Sequence, residues 1–328
     1  ADIAVVIVNW NTGDDLRAAL ASCFAHSDGL ALSIIVVDNA STDGSAEMVR
    51  DQFPRVTLIA NEDNVGYTVA CNQGMHAADA RYYLMLNSDA ELTEGCLAEL
   101  VRVMEAHPEL GCVSPRLLYP DGSPQFACGS FPRLWVRMLP VSLIVRLELA
   151  RAAAFERPGQ FYLVDYVFGA CNLVRARAVA EVGMMDERIF MWCDDAEWQK
   201  RMLAKGYRSA IVTAATCIHR AGTSTSLVSE IKRSLRNSMA EFTYFRLRHG
   251  KPATGALWFV RTLYSLAKVL VLGPARVLTM GRIERVRNAY QLARWRLWFH
   301  LTHAADILWR EPRPYRAEDV SPEAPPCG

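Results

Sequence analysis

The sequence predicts an α/β fold, with a mixed but mainly parallel central sheet, covering helices and a C-terminal helical extension. Three observations predict it. Across the first 113 residues, short β-branched runs alternate with amphipathic stretches, the pattern of successive β-α-β units. The chain of 328 residues is 51% hydrophobic and 22% charged, which supplies a sizeable core and excludes a disordered polymer. Beyond Gly250 the composition shifts to Leu, Val, Trp and Arg at helical spacing.

The expected strands of the first region are Ile3–Val8, Ser33–Asp38, Val56–Ala60, Arg81–Leu86 and Leu110–Val113, the first three rich in β-branched residues and the fourth in Tyr and Leu. Between them, Asp14–Ala25, Gly44–Gln52, Val65–Ala78 and Thr93–Ala106 read as helices, with Asp14 and Thr93 as N-caps. From Pro115 to Gly159 the periodicity weakens, leaving irregular connections and one helix at Val136–Ala154. It returns with a strand at Leu163–Phe168, helices at Arg175–Val182 and Asp194–Lys205, the latter closed by Gly206, and a strand at Ser209–Cys217. The expected division is a domain over 1–250, a basic amphipathic helical region over 251–310 and a flexible Pro-rich tail over 311–328.

Charge is uneven along the chain. Residues 251–328 hold 12 basic and 6 acidic side chains, against 24 and 29 in residues 1–250, so the tail suits an anionic surface. No eighteen-residue uncharged run occurs there, because Arg261, Lys268, Gly273, Pro274 and Arg276 interrupt it, and a spanning helix is disfavoured. Two arrangements fit: a helix lying in a membrane interface, or one packed on the domain with its basic face in water. The absence of a helix-turn-helix signature and of zinc-ligand spacing argues against a nucleic-acid partner. Nine cysteines without a C-x-x-C pair form neither a disulfide framework nor a zinc site, and Ala1–Val8 lacks a secretory pattern. The expected setting is cytoplasmic, either free or peripheral on the inner face of the cytoplasmic membrane.

Four stretches could carry chemistry. In Ile34–Gly44 a hydrophobic strand ends at Asp38, and ligands of open parallel sheets sit outside the carboxyl ends of strands. Asp38 can accept hydrogen bonds from a base or ribose; alternatively Asp38 and Asn39 only shape the turn, with Ser41 or Asp43 capping the helix. Trp10 follows the first strand at the same edge, placed either to stack on a base or to fill the core. Leu84–Glu91 is another strand ending in acids, with Asp89 the candidate ligand of a divalent cation and Asn87 and Glu91 as helpers. In Phe190–Arg201, Glu197 and Arg201 form an i, i+4 pair, whereas the adjacent Asp194 and Asp195 after Trp192 raise each other's pKa, as a general base requires. Finally, His219 follows a strand and gains meaning only beside a metal.

Taken together, Val6–Asn11, Val36–Ser45, Asn64-Val65-Gly66 to Asn72, Asn87-Ser88-Asp89, Phe168-Gly169-Ala170 and Asp194-Asp195 resemble the nucleotide-sugar-dependent glycosyltransferases of family 2, whose fold is called GT-A. The resemblance covers about Ile3 to Gly250. It implies that Trp10 and Asp38, with Asn64 and Gly66, hold the nucleoside. It implies that Asp89 and His219 hold a divalent metal, Mg or Mn, and that Asp195 is the catalytic base, with Asp194 supporting it; Trp192 either stacks on the acceptor sugar or fills the core. Ser88 stands where the metal motif is expected to carry its first acid, which implies a weaker metal site. The wording from Gly183 to Gly206 and at Ser234–Asn237 looks most like bacterial rhamnosyltransferases and galactofuranosyltransferases of surface polysaccharide. The implied reaction is inverting, metal-dependent transfer of a sugar, L-rhamnose from dTDP-rhamnose being the guess, to a saccharide or lipid-linked saccharide. The alternative is a catalytically silent sugar-nucleotide or carbohydrate-binding subunit. Acceptor, linkage and oligomeric state stay open. A nicotinamide dehydrogenase is disfavoured, since no G-x-G-x-x-G follows the first strand.

Overall fold

The computed structural model describes residues 1–139, 143, 161–222, 229–280 and 282–315. Its strands are β1 (Ile3–Asn9), β2 (Leu32–Asp38), β3 (Thr57–Ala60), β4 (Tyr82–Asn87), β5 (Ala90–Leu92), β6 (Leu110–Leu118), β7 (Cys128–Gly129), β8 (Phe161–Val164), β9 (Tyr166–Val167), β10 (Cys171–Arg175) and β11 (Arg208–His219). The helices are α1 (Gly13–Ala25), α2 (Ser45–Gln52), α3 (Tyr67–His76), α4 (Cys96–Ala106), α5 (Leu134–Arg137), α6 (Ala176–Val182), α7 (Asp194–Ala204), α8 (Glu230–Leu278), α9 (Glu284–Thr302) and α10 (Ala304–Leu308). Contacts divide the chain into two units. The first is Ala1–Phe131, Val145–Glu187 and Asp194–Leu227; the second is Pro132–Ile144, Arg188–Cys193 and Val228–Gly328.

The first unit is built on one nine-stranded sheet in the order β3-β2-β1-β4-β10-β6-β11-β5, with β8 also on β11. The β-branched runs of β1 and β2 are buried on both faces because helices cover both, as parallel sheets require. β1 pairs in parallel with β2 and β4, whereas β10 runs antiparallel between β4 and β6. Helix α3 lies so close to β1 that a Cβ at Gly74 would collide with Val6. The first-region strands fall within a residue or two of their expected bounds, except that β6 runs on to Leu118.

Several local expectations are corrected. Asp14 and Thr93 are not N-caps: Thr12 and Gly95 occupy those positions, and Asp14 lies in the first turn, where its charge complements the helix dipole. The Leu163–Phe168 strand is split into β8 and β9. The helix expected at Val136–Ala154 is represented by α5, which ends at Arg137, and residues 144–154 lie outside the described residues.

In the second unit, α9 packs along α8, tied by Trp258 Nε1–H donating to the His300 carbonyl at 2.8 Å. Gly250, where the composition shifts, is a kink inside α8 with φ of 77°. Against the expectation that no helix here could span, α8 contains an 18-residue window of mean hydropathy 1.4, only 11% of it buried, long and apolar enough to cross a membrane by length and composition.

Candidate active site

The carboxyl ends of β1, β2 and β4 lie at one edge of the sheet, since Asn9 pairs with Asp38 and Val8 with Asn87. Because β10 is antiparallel to β4, its first residue Cys171 meets Leu86, which brings the Phe168-Gly169-Ala170 turn to the same edge. β11 ends there too, with His219 opposite Ala90, the residue after Asp89. Topology alone therefore gathers the Asp38 and Asp89 stretches, the Phe168–Ala170 turn and His219.

At the β1–β2 end, Asp38 is buried at 2% exposure and both its oxygens are engaged. Oδ2 accepts from Asn9 Nδ2 at 2.7 Å and Oδ1 from the Ser41 amide at 2.9 Å, so Asp38 does shape the turn. Each oxygen retains a second lone pair. Trp10, which follows Asn9 in sequence, is half-buried. Asn64 Oδ1 accepts from the Gly66 amide at 3.1 Å, and the Gly66 carbonyl accepts from Asn39 Nδ2 at 3.2 Å. Asn39 is in turn held by Asn61, which pairs with Gln73 on α3. Amide side chains thus fix the loop that carries Asn64 and Gly66 against the end of β2.

The next cluster joins β4 to β11. His219 Nε2 lies 3.2 Å from Asp89 Oδ1 and 3.4 Å from Asn87 Nδ2. Gln125 Nε2 donates to the His219 carbonyl, which turns Gln125 Oε1 towards His219 Nδ1 at 2.6 Å. That ring nitrogen must then carry the proton. An unprotonated Nε2 would direct its lone pair at a carboxylate, an arrangement stable only with a proton or a cation between them. The pair therefore fits a divalent ion that takes few protein ligands and completes its shell with diphosphate oxygens and water. Among the described residues no group of three or more His, Cys, Asp or Glu could hold a metal.

The position of Ser88 is a correction. Its hydroxyl lies 2.8 Å from Thr12 Oγ1, which also donates to Asn9 Oδ1 at 2.6 Å. The residue that flanks Asp89 at His219 is Asn87, so Ser88 takes no acid's place there. Glu91 is no helper either, because Arg220 claims it at 2.7 Å while also reaching Asp15 at 3.3 Å.

The Phe168–Ala170 turn connects this cluster to Asp195. The Asn87 amide donates to the Ala170 carbonyl at 2.9 Å, and the Gly169 amide donates to Asp195 Oδ2 at 2.8 Å. A Cβ at Gly169 would sit 3.1 Å from both carboxylate oxygens, so any larger residue there would press the Asp195 carboxylate away by a few tenths of an ångström. Tyr67 at the start of α3 donates to the Gly169 carbonyl at 3.3 Å.

Asp194 and Asp195 open α7. Burial, then the charge of Glu197, pushes Asp194 up to about 6. Burial first, and then Asp194, pushes Asp195 well above the usual carboxylate range, with the Gly169 amide pulling the other way. The two titrate as a pair. Glu197 is fully buried and pairs with Arg201 at 3.0 Å; Arg201 also donates to the carbonyls of Val182 and Met184. Trp192 belongs to the second unit, and the chain enters α7 through two left-handed residues, Trp192 at φ 63° and Cys193 at φ 59°.

Sequence reasoning missed Asn9, Thr12, Tyr67 and Gln125. Asn9 and Tyr67 lie inside stretches it had quoted without giving them a role, and Thr12 directly follows one. Gln125 lies in an irregular loop, and no sequence pattern points to it.

Comparison with known proteins gives a consistent picture. The family model described as glycosyl transferase family 2 matches residues 4–182. An N-acetylglucosaminyl-diphospho-decaprenol L-rhamnosyltransferase of Mycobacterium tuberculosis is 29% identical over 246 residues, covering 68% of this chain and 77% of its own. The low-salt glycan biosynthesis hexosyltransferase Agl10 of Haloferax volcanii is 22% identical over 201 residues, 60% of each chain. Among solved structures, GalNAc-T7 with UDP, GalNAc and Mn2+ superposes with a TM-score of 0.57 at 15% identity, covering 94% of this chain and 57% of that one. At that identity the likeness shows a GT-A-like fold and nothing finer.

Proposed function

Because this chain belongs to glycosyl transferase family 2, we propose that it moves a sugar from a nucleoside-diphosphate donor to an acceptor hydroxyl with inversion, Asp195 taking the acceptor's proton. That it is a glycosyltransferase follows from the family and from the rhamnosyltransferase relative. The observation that carries the finer reading is the gathering of Asp38, the Asp89–His219 pair and Asp195 at one sheet edge, linked through the Phe168–Ala170 turn.

In this reading Trp10, Asp38, Asn64 and Gly66 receive the nucleoside end. Asp89 and His219 would hold a divalent cation, Mg or Mn, which when bound supplies positive charge to the departing diphosphate. The Gly169 amide occupies Asp195 Oδ2 and leaves Oδ1 to accept the hydroxyl proton. As the acceptor oxygen bonds to the anomeric carbon, the bond from that carbon to the diphosphate breaks on the opposite face, and inversion follows. Asp194 holds the base's affinity for the proton high, as proton abstraction near neutral pH needs. Trp192, just ahead of α7 in sequence, is assigned to the acceptor side.

Likeness to the mycobacterial enzyme supports L-rhamnose as the sugar and a lipid-linked saccharide as the acceptor; dTDP as its carrier and access from the cytoplasmic side are carried over from the sequence reading. The silent-subunit alternative drew on a missing metal-binding acid; with Ser88 bonded to Thr12, the non-acidic residue beside Asp89 at His219 is Asn87, and product formation is what separates the two readings. A panel of labelled sugar nucleotides with Mg²⁺ or Mn²⁺ tests the reading. Product from one donor, with the anomeric configuration reversed, is expected; donor binding without any product would reject it.

A further inference from the structure

Phe259, Leu263, Leu266, Leu270 and Val277 recur on α8 at spacings of four, three, four and seven, and so share one helix face. All are exposed, Leu270 by 65% and Val277 by 76%. The other side of the helix is occupied: Leu257 and Ser265 are buried, Trp258 bonds to His300, and Arg276 lies over the Tyr290 ring at 5.2 Å. These contacts show α9 running back along α8. Residues 251–300 hold nine Lys and Arg but a single acid, Glu284, and Arg282, Arg285 and Arg287 are exposed at the turn between the two helices.

We propose that α8 lies in the plane of an anionic phospholipid surface, with this stripe in the headgroup–acyl boundary and the arginines among the phosphates. The ratio of basic to acidic side chains selects a negatively charged partner, and a continuous apolar stripe beside them selects one with a hydrocarbon interior. Next to the stripe, Gly273, Arg276, Val277, Met280 and Tyr290 line a cleft of about 390 Å³ that sets a guanidinium beside apolar walls, the chemistry of a lipid headgroup.

Length and hydropathy would let α8 span, but α9 decides against it. A spanning α8 would carry Arg294 of its packed neighbour into hydrocarbon, whereas an in-plane pair lets it stay at the polar boundary. The proposal stands apart from the transfer chemistry and adds to it the surface on which a lipid-linked acceptor would be met.

Co-sedimentation of the full chain with phosphatidylcholine vesicles, with and without about 30% phosphatidylglycerol, tests it. Binding to the anionic vesicles at low salt is expected, and it should fall at least about tenfold when Leu263→Gln, Leu270→Gln and Val277→Gln are combined. A second variant combining Arg282→Gln, Arg285→Gln and Arg287→Gln should lose binding without touching the stripe. Both sets of side chains are exposed, so helix content by circular dichroism and transfer to a water-soluble acceptor should be unchanged. The proposal is overturned by any of four results. These are no binding at low salt, undiminished binding of both variants, resistance to alkaline carbonate extraction as a spanning helix would show, or a dimer that the apolar variant abolishes in a protein that ignores vesicles.

Discussion

Asp195 stands between influences of opposite sign: burial and Asp194 favour its protonated form, and the Gly169 amide favours the carboxylate. A base so placed gains reactivity towards an alcohol at the expense of being protonated in mildly acidic solution. Replacing it by Asn in Asp195→Asn should lower kcat by at least about a hundredfold, while donor affinity measured by calorimetry stays near that of the parent. The neighbouring carboxylate supplies a test with a defined sign. Asp194→Asn removes a negative charge that disfavours ionisation of Asp195, so the Asp195 pKa falls and the acidic limb of the kcat profile should move to lower pH. A limb that stays in place, or moves up, would separate Asp195 from the proton transfer.

At the scale of elements, α7 depends on one buried ion pair. Arg201 neutralises Glu197 and spans to the carbonyls of Val182 and Met184, holding the helix to the segment after α6. Glu197→Gln leaves a largely buried guanidinium without its counter-charge, and urea unfolding should show a loss of about 3–5 kcal/mol. The pair was legible in the sequence because i, i+4 spacing is local. The strands β1 to β4 were legible for the same reason, each being a short continuous apolar run, β-branched in β1 and β2 and built on Tyr, Leu and Met in β4. β10 was not: the five residues Cys171–Arg175 lie between a glycine turn and a helix, and only pairing with β4 and β6 makes them a strand. Gln125 illustrates the deeper limit, because its role exists only once a residue 94 positions later folds against it. Ser88 was misjudged because sequence spacing does not say which way a side chain faces at the end of a strand.

For the whole molecule, every candidate residue except Trp192 belongs to the first unit, and the second supplies most of the basic excess. Nucleoside diphosphate should therefore raise the melting temperature of the intact chain, since a ligand bound only by the folded state stabilises it. Mn²⁺ should enlarge that rise, a chelator should cancel the increment, and Asp89→Ala should show no increment to cancel. An equal rise with and without metal in both proteins would leave Asp89 and His219 as a plain ion pair.

The span from Phe168 to Ala170 binds the loop of the proposed diphosphate site by the Ala170 carbonyl and the proposed proton acceptor by the Gly169 amide. Three residues thus act as a common ruler for two halves of the chemistry. Anyone retuning this catalyst for another sugar has latitude in the loops around it. Within the ruler there is none, since lengthening or stiffening it would unsettle grip and turnover in a single stroke.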